Sequence, residues 1–257
     1  MTDTSLTEQD SPFPEQAQLE DMVQQVIEQA RKAGADGVEA GVSVDAGLSV
    51  TVRLGETETL EYNRDRSLGL TVYFDQRKGS ASTADFGPES LSATVRAACD
   101  IARYTSRDEC SGLADADRMA TLIPDLDLYH PWGRDAEQAI VVATECEAAA
   151  LQVEPRIETS EGGTVSSYAG MRGKANPHGF LAGYRSSYHS LSCALIGKHG
   201  DEMQRDFWSC SARDTSDMLS GADTGLIAGE RTVRRLGSRS LTTRQSQVVF
   251  AAVVDSC

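Results

Sequence analysis

The chain has 257 residues, 40% of them apolar and 25% charged, which is enough for one or two ordinary globular cores. Asp and Glu outnumber Lys and Arg by 39 to 24, and the net charge of -15 repels phosphate backbones and argues against nucleic acid as a partner. Aromatic residues, at 6%, are too sparse for a surface of stacked rings.

Residues 1–14 are polar, acidic and without an apolar period, so they are expected to be a disordered tail and not a signal peptide. Leu19, Met22, Val23, Val26, Ile27 and Ala30 then fall on one face of a helix. Arg31 and Lys32 suit its negative end, and Gly34 stops it. Period two follows in Val38, Ala40, Val42 and Val44, with a turn expected at 45–47. Leu48, Val50, Val52 and Leu54 alternate next, before a turn at Gly55 and Glu56. Leu60 and Tyr62 lead to a polar turn at 63–66; Leu68, Leu70, Val72 and Phe74 make another strand, and 75–79 turns into 80–83. Together these predict an antiparallel meander with one wet face. Pro88, in the first turn, opens a helix that carries Leu91, Val95, Ala98 and Ala102 inward.

Residues 106–134 lack periodicity and predict a long connection. Asp135 with Gln138 gives a capping-box start to a third helix, whose inner face is Ala139, Val142, Ala143, Cys146, Ala149, Ala150 and Val153. Residues 155–212 are strand-like, with Leu191, Cys193 and Leu195 alternating against small polar residues and a turn at 197–201. A fourth helix is expected over 221–236, ending at Gly237, and a last apolar strand over 247–254. The fold class is therefore α+β, as two successive units of antiparallel sheet flanked by helices.

No catalytic, cofactor-binding or metal-binding residue set is assigned. The histidines are His130, His178, His189 and His199; none has another three to five residues away, and none lies on a predicted helix. His178 and His189 are the one pair that a hairpin could bring face to face, without a third ligand. Ser186, Ser187, Ser190 and Ser192 surround His189, but there is no G-x-S-x-G elbow, and neighbours along a strand point to opposite faces. The segment from Gly170 to Lys174 lacks the first glycine and the final hydroxyl of a phosphate loop. Glu161, Gly162 and Gly163 suggest a turn or a close backbone approach, with an edge that accepts an extended peptide as the alternative. Six cysteines without a C-x-x-C pair are expected to be free thiols. The basic cluster of Arg231, Arg234, Arg235 and Arg239 suits the end of the fourth helix.

Several stretches resemble a known family: 60–85 (LEYNRDRSLGLTVYFDQRKGSASTAD), 97–110 (AACDIARYTSRDEC), 124–131 (PDLDLYHP), 160–166 (SEGGTVS) and 176–195 (NPHGFLAGYRSSYHSLSCAL). They resemble the PmbA/TldE type of subunit in the TldD/TldE metalloproteases, colinearly from about residue 19 to about residue 250. The resemblance implies a cytoplasmic heterodimer in which the TldD-type partner carries an H-E-x-x-x-H zinc site. The TldE-type subunit lacks those ligands and helps to enclose small or unfolded peptides. It implies no cofactor in this chain, no nucleic acid and no membrane. Family members continue for a whole further domain where this chain stops at Cys257, so the C-terminal domain is expected to be missing. The expected organisation is a tail (1–14), an N-terminal α+β domain (15–112), a middle α+β domain (113–237) and a linker with the first strand of a truncated domain (238–257). The function expected is that of a non-catalytic fragment making partner contacts and enclosing substrate. The alternatives are a truncated, non-functional product and an independent metal-binding hydrolase built on His178 and His189.

Overall fold

A computed structural model describes residues 13–247. Its elements in chain order are α1 (Gln16–Lys32), β1 (Gly37–Arg53), β2 (Glu56–Phe74), β3 (Arg77–Thr83), α2 (Pro88–Tyr104), α3 (Ala136–Leu151), β4 (Ile157–Ala175), β5 (Leu181–His199), β6 (Glu202–Ala212) and α4 (Gly221–Arg235). The class is α+β, and the strands share one hydrogen-bonded order, β3-β2-β1-β4-β5-β6. β3 lies antiparallel on β2, with Leu68 opposite Thr83, and β6 lies antiparallel on β5, with Leu191 opposite Cys210. The terminal strand expected at 247–254 falls almost wholly outside the described residues, as does most of the expected tail.

The strands are longer than the sequence pattern suggests, because two polar stretches expected to turn do not. At 45–47 β1 runs straight on. Asp45 is polar there because it pairs with Arg172 on β4 at 3.1 Å. Gly47 is small because the ring of Tyr168 occupies the space of a side chain. At 63–66 β2 also continues. Arg66 stacks over Phe86 at 5.2 Å and donates from Nε to the Ala84 carbonyl at 2.8 Å. The true hairpin turns are two-residue loops with positive φ at both positions, Leu54 (53°) with Gly55 (79°) and Asp75 (47°) with Gln76 (60°). That backbone matches the right-handed twist of the flanking strands.

The chain divides into two compact units. The first comprises the described residues up to Ala46, then Asn63–Leu128 and Ala169–Ser186; the second comprises Gly47–Tyr62, Tyr129–Tyr168 and the chain from Ser187. Their boundaries differ from the successive segments 15–112 and 113–237, because β1, β2, β4 and β5 each give one stretch to each unit. The core of the first unit joins α1 (Leu19, Val23, Val26) and α2 (Leu91, Val95, Ala98) to the inward residues of β1 and β2. Each large aliphatic side chain buried there contributes about 1.5–3 kcal/mol. Phe13, placed in the tail by its sequence context, belongs to this core.

The second unit packs α3 and α4 over the inward faces of β1, β4, β5 and β6. Gly221, Gly225 and Gly229 recur every four residues on α4, so they share one face. A Cβ on Gly225 would overlap the carbonyl of Cys146, and one on Gly229 would come within 2.8 Å of the carbonyl of Ala150. The helices therefore touch backbone to backbone. Cys146, Cys193 and Cys210 fill the same core as free thiols. The hydrogen bond with Cys193, followed by burial, pushes the Cys146 thiol far above the usual range, so it is unreactive.

Gly225→Ala is expected to destabilise the chain by roughly 1–3 kcal/mol through overpacking, seen as a lower Tm in thermal unfolding. Gly112→Ala, where a Cβ meets nothing within 4 Å, is expected to leave Tm unchanged.

Candidate functional site

Of the four histidines, His130 and His189 lie together, whereas His178 and His199 lie apart from them and from each other. Asn176 bonds across the β4–β5 hairpin to Phe180, which places His178 at the tip, where its N–H donates to Asn176 Oδ1 at 3.0 Å. His189 lies well inside the second unit and is 2% exposed. Its partner across the hairpin is Ser167, not His178. His199 ends β5. Among the described residues no group of three or more His, Cys, Asp or Glu side chains converges as a metal site would require. The donor sets present do not fit a catalytic zinc.

What His189 does instead is join three segments. One ring nitrogen, Nε2, lies 2.8 Å from the carbonyl of His130, which can only accept, so Nε2 carries the proton. Nδ1 lies 2.9 Å from the Ser167 hydroxyl. The amide of His130 donates to Ser187 Oγ at 2.8 Å, and that hydroxyl donates on to the carbonyl of Arg213 at 2.7 Å. The ring of His130 faces Asp214 at 3.5 Å. Asp214 also caps the short turn that follows β6. Its carboxyl is held below the usual range first by the Ser216 amide, with smaller contributions from His130 and His189.

The spacing of Ser167 and His189 is that of a nucleophile and its base. The group hydrogen-bonded to the ring, however, is a neutral backbone oxygen rather than a carboxylate, and the Asp214 carboxylate faces the neighbouring His130. The cluster is best described as a polar clamp that fastens the connection before α3 to β4, β5 and the end of β6. A cavity of about 300 Å³ adjoins it, lined by Trp132, Arg134, His189, Met218 and the start of α4.

Two other polar features of this unit have specific jobs. Asp206, 8% exposed, takes Arg231 at 3.3 Å and Arg235 at 3.6 Å. Part of the basic cluster thus neutralises one buried carboxylate, and Arg231 also stacks on Trp208. Glu147 on α3 is 2% exposed, and its carboxylate accepts the amides of Leu54 at 2.8 Å and Gly55 at 2.9 Å. The helix thereby holds the β1–β2 turn by both of its free amides.

At 161–163 the structure has the close backbone approach rather than the alternative of a peptide-accepting edge. These residues lie within β4, between β1 and β5 in the strand order. Gly162, at φ 114°, makes a kink against Thr51 and Val52, and Gly163 admits the Ala143 carbonyl of α3. The open edge lies elsewhere. β3 covers only residues 68–74 of β2, so residues 56–62 have β1 on one side and no strand on the other among the described residues. Every residue from 56 to 62 is exposed.

The family model described as PmbA/TldA metallopeptidase domain 1 matches residues 38–102, and the model of the central domain matches residues 129–236. Metalloprotease PmbA of Escherichia coli O157:H7 is 43% identical over 233 residues, covering 91% of this chain and 52% of that protein. A Bacteroides thetaiotaomicron protein, named for modulation of DNA gyrase, superposes with TM-score 0.79 at 24% identity over 86% of this chain and 51% of its own. TldE from Thermococcus kodakarensis superposes with TM-score 0.61 at 16% identity, covering 84% of this chain and 47% of that one. The chain spans about half the length of the curated relatives it matches.

For the Glu147 bridge, Glu147→Ala leaves two amides without their acceptor. Charge-assisted hydrogen bonds of this kind contribute about 1.5–3 kcal/mol each, so a loss of roughly 2–4 kcal/mol is expected in denaturant unfolding. Faster amide exchange confined to Leu54 and Gly55 would accompany it.

Proposed function

The chain belongs to the PmbA/TldD metallopeptidase family, and from that premise we propose that it acts as a TldE/PmbA-type subunit, contributing partner contact and peptide enclosure rather than zinc chemistry. The observation that carries this reading is a pairing of two facts. Identity to PmbA is 43% along nearly the whole chain, while among the described residues no three His, Cys, Asp or Glu side chains converge as metal ligands would. His189 is spent on Ser167 and His130, and His178 stands at a hairpin tip. A hydrolytic zinc needs three convergent protein donors and an open position. In the proposed pair those donors come from a TldD-type subunit, and the substrate is a small or unfolded peptide.

The setting proposed is the cytoplasm. Among the described residues no helix is long and apolar enough to cross a membrane. The acidic net charge suits a protein that handles peptides and avoids phosphate backbones.

Co-expression with a TldD-type subunit, followed by size exclusion and a peptide-cleavage assay, tests the proposal. A single co-eluting complex is expected, with cleavage abolished by removing the partner's zinc ligands and unaffected by His178→Ala in this chain. Failure to co-elute overturns the subunit role. Stoichiometric zinc and peptide cleavage in the isolated chain overturn its non-catalytic part.

A further inference from the structure

The clamp around His189 contains a pair of side chains whose charge depends on pH. His130 stands in the segment before α3 and is fastened by its backbone on both sides. Its amide donates to Ser187 Oγ at 2.8 Å, and its carbonyl accepts from His189 Nε2 at 2.8 Å. The ring is thereby held beside the Asp214 carboxylate, with Nδ1 3.5 Å from Oδ2. That separation is an ion pair when the imidazole is protonated and little more than a contact when it is neutral.

The ionisable groups around this pair come from three places. From β5, His189 is 2% exposed and already gives its Nε2 proton to the His130 carbonyl. A charge on it would stand next to a protonated His130, with one carboxylate to answer both, and burial adds its own cost. From the end of β6, Arg213 directs Nη1 to the carbonyl of Ser187 at 3.2 Å. From the segment itself, Arg134 lies over the ring of Trp132 at 5.3 Å. The His130 side chain is 28% exposed, so it exchanges protons with solvent, and imidazole is the group that changes charge between pH 5 and 8. Asp214 stays ionised through that range. Ser216 first, and then His130 and His189, hold its carboxyl below the usual carboxylate range.

We propose that His130 and Asp214 form an acid-strengthened latch, in which protonation of the imidazole pairs it with the carboxylate and tightens the hold of segment 129–134 on the end of β6. Trp132 and Arg134 of that segment line the cavity of about 300 Å³ beside His189, so the latch sets how firmly one wall of the cavity is held. Pairing requires a charged imidazole. Its contribution is therefore full below about pH 6.5, the ordinary imidazole value, and is lost as pH rises through the His130 midpoint. Pairing also requires a charged carboxylate, so at the acid end it is lost only below the ordinary Asp value of 3.8. The latch is tightest between those limits and loose at about pH 8. It belongs to the fold of this chain and is independent of any pairing with a TldD-type subunit.

The test follows the imidazole Cε1 protons of the full chain by NMR from pH 5 to 8, together with amide exchange at His130 and Trp132 corrected for its intrinsic pH dependence. Protection of the His130 amide is expected to be about two- to fivefold higher at pH 5.5 than at pH 8, the range that a partly exposed ion pair supplies, and to shrink in high salt. Asp214→Asn keeps an oxygen for the Ser216 amide and removes the charge. It is expected to lower the His130 midpoint, to leave that of His178 unmoved and to erase the pH dependence of protection. His130→Gln, which keeps both backbone bonds, is expected to erase it as well, and it keeps the test decisive if Asp214→Asn does not fold. A His130 midpoint unmoved by Asp214→Asn, or equal protection at both pH values, overturns the proposal. So does a pH dependence that survives His130→Gln, which would belong to His189.

Discussion

A carboxylate with almost no access to water must be met by donors, or its burial costs several kcal/mol. In the second unit those donors are the amides of Leu54 and Gly55, and the carboxylate is Glu147. The turn needs the carboxylate as much as the carboxylate needs the turn. Leu54 sits at φ 53°, a region that a branched side chain disfavours. Two charge-assisted bonds offset that strain and fix where β1 ends and β2 begins. From this point two strands of 17 and 19 residues run back through the fold. The register of both, and which groups β2 shows at its open edge, follow from where the turn is held.

The same unit uses polar groups and small residues in different ways to the same end. His189 and Ser187 tie Ser167, His130 and Arg213 together with side chain-to-backbone bonds. Each polar atom in that chain has a partner, which is the condition for a buried network to stabilise rather than weaken a core. α4 meets α3 through glycines, whose absent side chains let the carbonyls of Cys146 and Ala150 approach. Contacts of this kind tolerate little change in volume. Hydroxyl pairs on neighbouring strands, Ser49 with Ser166 and Thr51 with Thr164, add side-chain hydrogen bonds between β1 and β4.

How much of this was legible depended on how far apart the partners lie in sequence. The faces of α1 and α2 followed from apolar spacing alone, and the capping box of Asp135 and Gln138 formed as the sequence implies. Those signals are local. The buried roles of Glu147 and His189 were not legible, because their partners lie 92 to 93 and 22 to 59 residues away. The polar stretches at 45–47 and 63–66 look like turns because polarity at a wet strand face and polarity at a turn are the same sequence signal. The glycines of α4 carried a readable spacing, but glycine in a helix ordinarily marks weakness rather than close packing. The sequence placed no two histidines on one helix turn but left His178 and His189 as a pair that a hairpin could join; the hairpin pairs His189 with Ser167 instead.

The two outer strands of the sheet order end differently. β6, at one end of the strand order, is backed by α4, with Arg231 and Arg235 reaching Asp206. Among the described residues the first half of β2 is exposed and has no strand on its outer side, and Glu58 there pairs with Arg53 at 3.1 Å.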